Sequence, residues 1–179
     1  MKILITGTVC SGKTTLITEF EKMGHNVVHE KAREFIKEEQ LTKNPILPWT
    51  HPLEFQVALL YKHLVHEEQL QKPQRPLFFD TGYLDSLTFL RTDGYTHTPE
   101  EYLHAAKKLS YDVLFLLEPL PYKTDEQRPQ DEEYALKLHE MKKKVYETEF
   151  GLQLRTVPVL SVRERVAYIL EKISTEMPK

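Results

Sequence analysis

Eight consecutive residues near the start of the chain carry the strongest chemical signal. They fit the pattern G-x-x-x-x-G-K-[ST], between a short apolar run and a stretch of helical character. Glycine lets the backbone curl so that successive N–H groups point into one concavity, and the following helix adds its unpaired N–H groups and its dipole. Such a P-loop holds phosphates, so we predict that the chain binds a nucleoside triphosphate. The predicted nucleotide-binding residues are Gly7, Thr8, Val9, Cys10, Ser11, Gly12, Lys13, Thr14 and Thr15.

Two side chains of this loop and one later carboxylate could act on the phosphates. Lys13 supplies a mobile cation for the outer phosphates, and the Thr14 hydroxyl is placed to ligate Mg²⁺. Asp80 follows three large apolar residues, as in the Walker B pattern, and can hold the Mg²⁺ shell directly or through water. An aspartate that caps the next helix is the alternative, and both roles can hold together. We predict ATP or GTP and Mg²⁺ as cofactors, Thr14 and Asp80 as metal ligands, and Lys13 and Asp80 as catalytic residues.

Three further residues could form a site for a phosphoryl acceptor. Glu30 ends a short apolar run, and Arg33 follows one turn along the next predicted helix. A carboxylate there can accept the proton of an attacking hydroxyl or bind its hydrogen, and Arg33 can grip an anionic part of the acceptor. The alternative for these two is a surface pair of little energetic weight. Asp85 could bind an acceptor hydroxyl or, with equal support, stabilise the N-terminus of its helix. We predict a catalytic role for Glu30 and substrate binding by Glu30, Arg33 and Asp85.

A charged, proline-flanked loop at about residues 119–130 has the composition of a lid. It carries Lys123 and Arg128. Phosphoryl transfer needs positive charge over the γ-phosphate and a site closed to water, and a cationic lid supplies both. An ordinary charged loop is the alternative. We predict that Arg128 is catalytic.

Strands that alternate with helices are expected to position these residues. The predicted strands are residues 2–6, 26–30, 77–80, 113–117 and 152–157. The predicted helices are residues 12–22, 31–40, 52–71, 83–91, one that begins near residue 98, 131–149, and a last one that begins near residue 161. This pattern predicts one three-layer α/β/α domain over residues 1–179, with a five-stranded parallel sheet and the cleft at the carboxyl ends of the strands.

Composition excludes several classes of protein. The net charge of −3 argues against a general nucleic-acid binder, and no run is apolar enough for a signal peptide or a membrane span. Cys10 is the only cysteine, so internal disulfides and cysteine zinc sites are impossible. We therefore expect a cytoplasmic protein. The basic run at residues 142–144 predicts a solvated helix face, and His63 with His66 predicts a solvated or packed pair without a metal.

The chain resembles the P-loop kinase-type domains related to the nicotinamide-riboside kinase module of the bacterial NAD-biosynthesis regulator, a group often labelled AAA-type ATPases. The matching stretches occur in the family's order and span nearly the whole chain: residues 7–15, 30–34, 79–82 with 85–87, and 125–128. The resemblance implies a kinase-like fold with strand order 2-3-1-4-5. It also implies phosphate- or acceptor-binding roles for Lys13, Glu30, Arg33, Asp80 and Arg128. Thr81 stands where the family often has arginine, so the resemblance carries no phosphate contact to that position.

These observations favour a small-molecule kinase that transfers the γ-phosphoryl group to a hydroxyl or phosphate, most readily on a nucleoside or nucleotide. The alternative is a regulatory NTPase, or GTPase-like switch, that acts on a partner. Residues 122–125 (Tyr-Lys-Thr-Asp) partly match the guanine-reading N-K-x-D motif, although the first residue differs. A transport ATPase is a weaker alternative. An acceptor pocket distinguishes a kinase from a switch, because only the kinase needs one.

Overall fold

The computed structural model describes residues 1–70, 75–121 and 132–176. The strands are β1 (Lys2–Gly7), β2 (Asn26–Val28), β3 (Leu77–Asp80), β4 (Val113–Leu117) and β5 (Leu154–Val157). The helices are α1 (Lys13–Lys22), α2 (Ala32–Glu39), α3 (Pro52–Gln69), α4 (Tyr83–Thr92), α5 (Glu100–Lys108), α6 (Glu132–Lys143) and α7 (Val162–Ser174), and a π-helical segment (Lys144–Glu149) continues α6. None of the described helices combines the length and apolar character needed to cross a membrane.

The five strands form one parallel sheet in the order β2-β3-β1-β4-β5. The central strand β1 pairs with β3 up to Ile5 and Asp80, and with β4 up to Gly7 and Leu117. This confirms the predicted parallel sheet and the strand order that the resemblance implies. Because all strands run the same way, the residues that follow β1, β2 and β3 meet at one edge of the sheet.

Alternate side chains of β1 belong to two different hydrophobic cores. Ile3 and Ile5 pack with residues of α1 and α7, whereas Leu4 packs with residues of α3, α4, α5 and the π-helical segment. All three side chains are fully buried. A sheet covered on both faces explains the continuous apolar runs of its strands, and it confirms the predicted three-layer arrangement.

The bounds of β2, β5 and the helix that precedes β5 differ from the predictions, beyond shifts of one or two residues at other element ends. The ladder between β2 and β3 stops at the pair Val28–Phe79, so Glu30 lies in the turn before α2 and not within a strand. β5 begins at Leu154, two residues later than predicted. The predicted helix at 131–149 is α-helical only to Lys143 and then widens into the π-helical segment.

The buried face of α7 also differs from the hydrophobic pattern. Val166, Ile169 and Ile173 are buried as predicted, but Val162 is 37% exposed because it is the first residue of the helix and lies beyond the core. Arg165, four residues before Ile169 and so on the same face, is buried instead, with only 3% of its surface exposed.

Candidate active site

The P-loop joins the end of β1 to the start of α1. Its curl requires left-handed backbone at two positions, Cys10 with φ 60° and Gly12 with φ 81°. Gly7 meets a different demand, since a Cβ there would lie 2.6 Å from Oγ of Ser11. Glycine is therefore needed at Gly12 for its conformation and at Gly7 for a close approach. These are the two glycines that define the motif.

Polar contacts fix the loop from inside and from a neighbouring helix. The Lys13 amine donates to the carbonyl oxygens of Gly7 at 2.7 Å and Thr8 at 3.1 Å. The buried hydroxyl of Thr8 donates to the carbonyl oxygen of Ala135, on α6, at 2.8 Å. The Lys13 amine thus lies against the backbone of the loop, and a hydrogen bond joins the loop to α6. Thr14 and Thr15 are exposed on the first turn of α1.

Asp80 is a buried carboxylate at the end of β3, with 3% of its surface exposed. Burial raises its pKa to about 6, the Lys13 amine opposes the rise, and the Glu30 and Asp85 carboxylates add to it. Its Oδ1 atom has no hydrogen-bond partner among the described residues. Lys13 and Glu30, which follow β1 and β2, therefore lie near enough to Asp80 at the end of β3 for their charges to act on it, as convergence of the strand ends predicted.

The donor set around Asp80 fits Mg²⁺ rather than a transition metal. An unpartnered carboxylate oxygen beside a phosphate-binding loop suits an ion that is held by one or two carboxylates together with phosphate oxygens. In the described ranges no group of three histidine, cysteine, aspartate or glutamate side chains could hold a metal by itself. If Mg²⁺ binds at Asp80 and Thr14, phosphate oxygens of the nucleotide would supply further ligands.

Glu30 and Arg33 occupy different environments. Glu30 is half-buried in the turn between β2 and α2, close enough to raise the pKa of Asp80. Arg33 is exposed on α2, and within the described part of the chain no hydrogen bond or ion pair joins it to Glu30. The surface pair of Glu30 and Arg33, which was the alternative to an acceptor site, is thus not formed, and acceptor binding by Arg33 stays a prediction.

Asp85 forms the centre of a buried polar cluster under the cleft. Its carboxylate accepts hydrogen bonds from the Thr6 hydroxyl at 2.5 Å and the Gly82 N–H at 2.7 Å, and it forms an ion pair with Lys142. Burial alone would raise the pKa of Asp85, but Lys142 and the hydrogen bonds lower it below its ordinary value. This geometry matches the role at the helix N-terminus, and acceptor binding by Asp85 stays a prediction.

Lys142 corrects the prediction of a solvated basic run. It is only 2% exposed and lies on the buried side of α6, one turn beyond Leu138. The prediction of a solvated face was wrong for this residue. Lys142 lies on the same helix face as the buried Leu138, and its charge can be buried because Asp85 pairs with it. That spacing was the only signal in the sequence that could have revealed it.

His63, on α3, is a packed side chain in a neutral state. It is 5% exposed, and burial lowers its pKa from 6.5 to about 4, with His66 and Lys31 adding to the decrease and Asp85 opposing it. The unfolded chain therefore binds a proton at a pH where the folded chain does not. Of the two predicted states, solvated or packed, His63 has the packed one.

We expect this histidine to make stability depend on pH. As the pH falls below 6.5, the unfolded state gains a proton first, so the free energy of unfolding decreases until about pH 4. The contribution of His63 to the loss between about pH 7 and about pH 5 should be about 2 kcal/mol, and the raised pKa of Asp80 acts in the opposite direction. Urea unfolding at both pH values should therefore show a loss about 2 kcal/mol larger in the wild type and in exposed His104→Gln than in His63→Gln. Equal pH dependence in wild type and His63→Gln would contradict it.

Several predicted features lie outside the described residues. They are Lys123, Arg128 and the partial N-K-x-D match at residues 122–125, together with all of the predicted lid except residues 119–121. The catalytic role of Arg128 and the lid therefore remain predictions.

Comparisons with known proteins agree with this architecture. The family model described as AAA domain matches residues 2–165. No curated protein matches the sequence. Deoxyadenosine kinase from M. mycoides, solved with the products dCMP and a flexible dCDP, is 20% identical with a TM-score of 0.67, over 99% of this chain and 100% of that chain. The same enzyme with bound dATP is 22% identical with a TM-score of 0.67, over 97% and 99%. At this identity the likeness shows a shared fold, and it confirms the predicted P-loop kinase-type fold.

Proposed function

We propose that this chain, a member of the AAA domain family, is a single-domain kinase. It transfers the γ-phosphoryl group of ATP or GTP to a nucleoside or nucleotide. The observation that carries the proposal is the place of Glu30 in the turn after β2, where its charge and that of Lys13 both act on Asp80. A nucleotide-dependent switch has no need for a base at this point, whereas a kinase does. No described feature favours the switch.

The proposed chemistry requires little covalent participation by the protein. The bond between the γ-phosphorus and its bridging oxygen breaks as the acceptor oxygen bonds to phosphorus, and Glu30 takes the acceptor's proton. Lys13 and the P-loop N–H groups hold the phosphates in line with the acceptor. Mg²⁺, when bound by Asp80 and Thr14, would neutralise charge on the phosphates.

A groove next to Glu30 supports a small acceptor. It lies between α2 and α3, has a volume of about 360 Å³, and begins at Lys31, the neighbour of Glu30. Its wall includes the aromatic side chains of Phe35 and Tyr61 and the cation of Lys62. Lys62 forms an ion pair with Glu38 at 2.6 Å, and Glu34 also lines the groove. Aromatic and polar groups together suit a base and a sugar hydroxyl, and the volume lies in the usual range for ligand sites.

The proposal also covers the class of ligand, the cellular location and the exclusion of nucleic acid as an acceptor. The M. mycoides enzyme binds nucleotides, and we extend that class of ligand to this chain. A cytoplasmic location follows from the need for nucleoside triphosphates and from the single cysteine, Cys10. The net charge of −3 argues against nucleic acid as the acceptor. The resemblance to the nicotinamide-riboside kinase module makes nicotinamide riboside one acceptor to test.

The proposal is tested by a screen of acceptors. The protein, Mg²⁺ and ATP or GTP are incubated with nucleosides, nucleotides, vitamins and sugars, and phosphorylated products are identified by mass spectrometry. We expect one acceptor class to be phosphorylated, and Glu30→Gln to slow transfer by about 10²–10⁴-fold without loss of nucleotide binding. The exposed Glu147→Gln serves as control. Nucleotide hydrolysis without any phosphorylated acceptor would contradict a kinase.

A further inference from the structure

Arg165 is a buried cation that lies directly behind the P-loop. It belongs to the first turns of α7, and its Nη1 donates to the carbonyl oxygen of Ser11 at 2.7 Å. Its Nη2 lies 3.5 Å from the carbonyl oxygen of Glu118, just after β4, and its Nε has no partner among the described residues. The side chain therefore links α7, the P-loop and the end of β4.

Among the residues that the structure describes, the charge of Arg165 has no anionic partner. It is 97% buried, since 3% of its surface is exposed, yet no carboxylate in the described ranges forms an ion pair with it. Both of its hydrogen-bond acceptors are neutral carbonyl groups. Burying a cation without an anion is unfavourable, so an anion bound nearby would relieve the cost.

The nearest place for such an anion is the loop itself. A Cβ built on Gly12 would lie 3.6 Å from Nη1 of Arg165, so the guanidinium touches the turn where the loop enters α1. The N–H groups of this turn are the ones that a P-loop aims at phosphate. Positive charge directly behind them strengthens the attraction for an anion in front.

The contact also orients one of those N–H groups. In a planar trans peptide, the C=O of Ser11 and the N–H of Gly12 point in opposite directions. Because Arg165 holds the Ser11 oxygen from behind the loop, the Gly12 N–H is turned toward the opposite, phosphate-binding side. Gly12 has the left-handed φ of 81° that this turn requires.

We propose that Arg165 is a positioning residue of the phosphate site: it fixes the Ser11–Gly12 peptide from behind and supplies charge that bound phosphates neutralise. The inference rests on the phosphate-binding part of the proposed function and is independent of the acceptor. The ligand class is a di- or triphosphate, free or as part of a nucleotide.

Two substitutions separate the charge from the hydrogen bond. Arg165→Gln removes the charge but keeps a donor, and Arg165→Lys keeps the charge but loses the planar fork. Arg163→Gln, at an exposed position on the same helix, is the matched control. Binding of inorganic tripolyphosphate and of ATP is measured by calorimetry, each at two salt concentrations, after circular dichroism has confirmed folding.

We expect Arg165→Gln to weaken both ligands by about 10- to 100-fold and to flatten the salt dependence of binding. Arg165→Lys should fall between this variant and the wild type, and Arg163→Gln should bind as the wild type does. A purely structural role would lower the melting temperature but leave the affinity and its salt dependence unchanged.

Other outcomes overturn the inference in distinguishable ways. Wild-type affinity in both Arg165 variants would overturn the inference and leave the kinase proposal intact. If the wild type itself binds neither tripolyphosphate nor ATP, both the inference and the proposed function fail. If Arg165→Gln does not fold, Arg165→Lys decides, and wild-type affinity in that variant would remove the positioning role.

Discussion

Replacement of Lys142 by methionine is expected to lower the free energy of unfolding by about 3–5 kcal/mol. Methionine fills most of the space of the lysine stem but leaves the Asp85 carboxylate buried without its cation. Thr6 and Gly82 would still donate to Asp85, but both are neutral donors. Denaturant unfolding followed by circular dichroism gives the change directly.

A double substitution shows whether this loss belongs to the ion pair. If it does, Lys142→Met combined with Asp85→Asn should lose much less than the sum of the two single substitutions. Lys144→Met, in the same basic run but exposed, should change stability by less than about 0.5 kcal/mol. Additive losses, or equal losses in Lys142→Met and Lys144→Met, would contradict a coupled buried pair.

Replacement of Lys13 by alanine is expected to slow phosphoryl transfer by about 10²–10³-fold. The amine now lies against the carbonyl oxygens of Gly7 and Thr8, in the loop that would surround the phosphates. Without it, charge that develops on the transferring group loses its nearest cation. Steady-state transfer rates measure the loss.

The fold should survive this substitution, because Lys13 lies at the start of α1 and its stem belongs to neither large core. Lys22→Ala, at the other end of α1 and paired only with Glu19, controls for loss of a helical lysine. If Lys13→Ala transfers phosphate at the wild-type rate, the P-loop lysine has no part in the chemistry.

The sequence predicted the elements whose cause is local. The P-loop could be placed because its spacing encodes backbone geometry, which Gly7 and Gly12 now show directly. The parallel sheet followed from buried strands alternating with helices, and its strand order came with the family resemblance. Asp80 could be placed at the cleft because parallel strands share one carboxyl edge.

The partners of the buried charges could not be predicted, because they are distant in sequence. Lys142 pairs with a residue 57 positions away, and Arg165 with one 154 positions away. A lysine in a basic run and an arginine among charged neighbours both look solvent-exposed along a helix. The spacing of Lys142 from Leu138 indicated a buried face, but the packing of α6 and α7 on opposite faces of the sheet is what encloses the two cations.

The most direct test of the proposed function follows the γ-phosphoryl group itself. The protein is mixed with Mg²⁺, ATP or GTP labelled in the γ-phosphate, and a pool of nucleosides and nucleotides, and the labelled products are separated. If Lys13 and Glu30 take part in phosphoryl transfer, the wild type should form a labelled acceptor. Lys13→Ala and Glu30→Gln should each form very little of it. Label found only in inorganic phosphate, released at the same rate by wild type and Glu30→Gln, would contradict it.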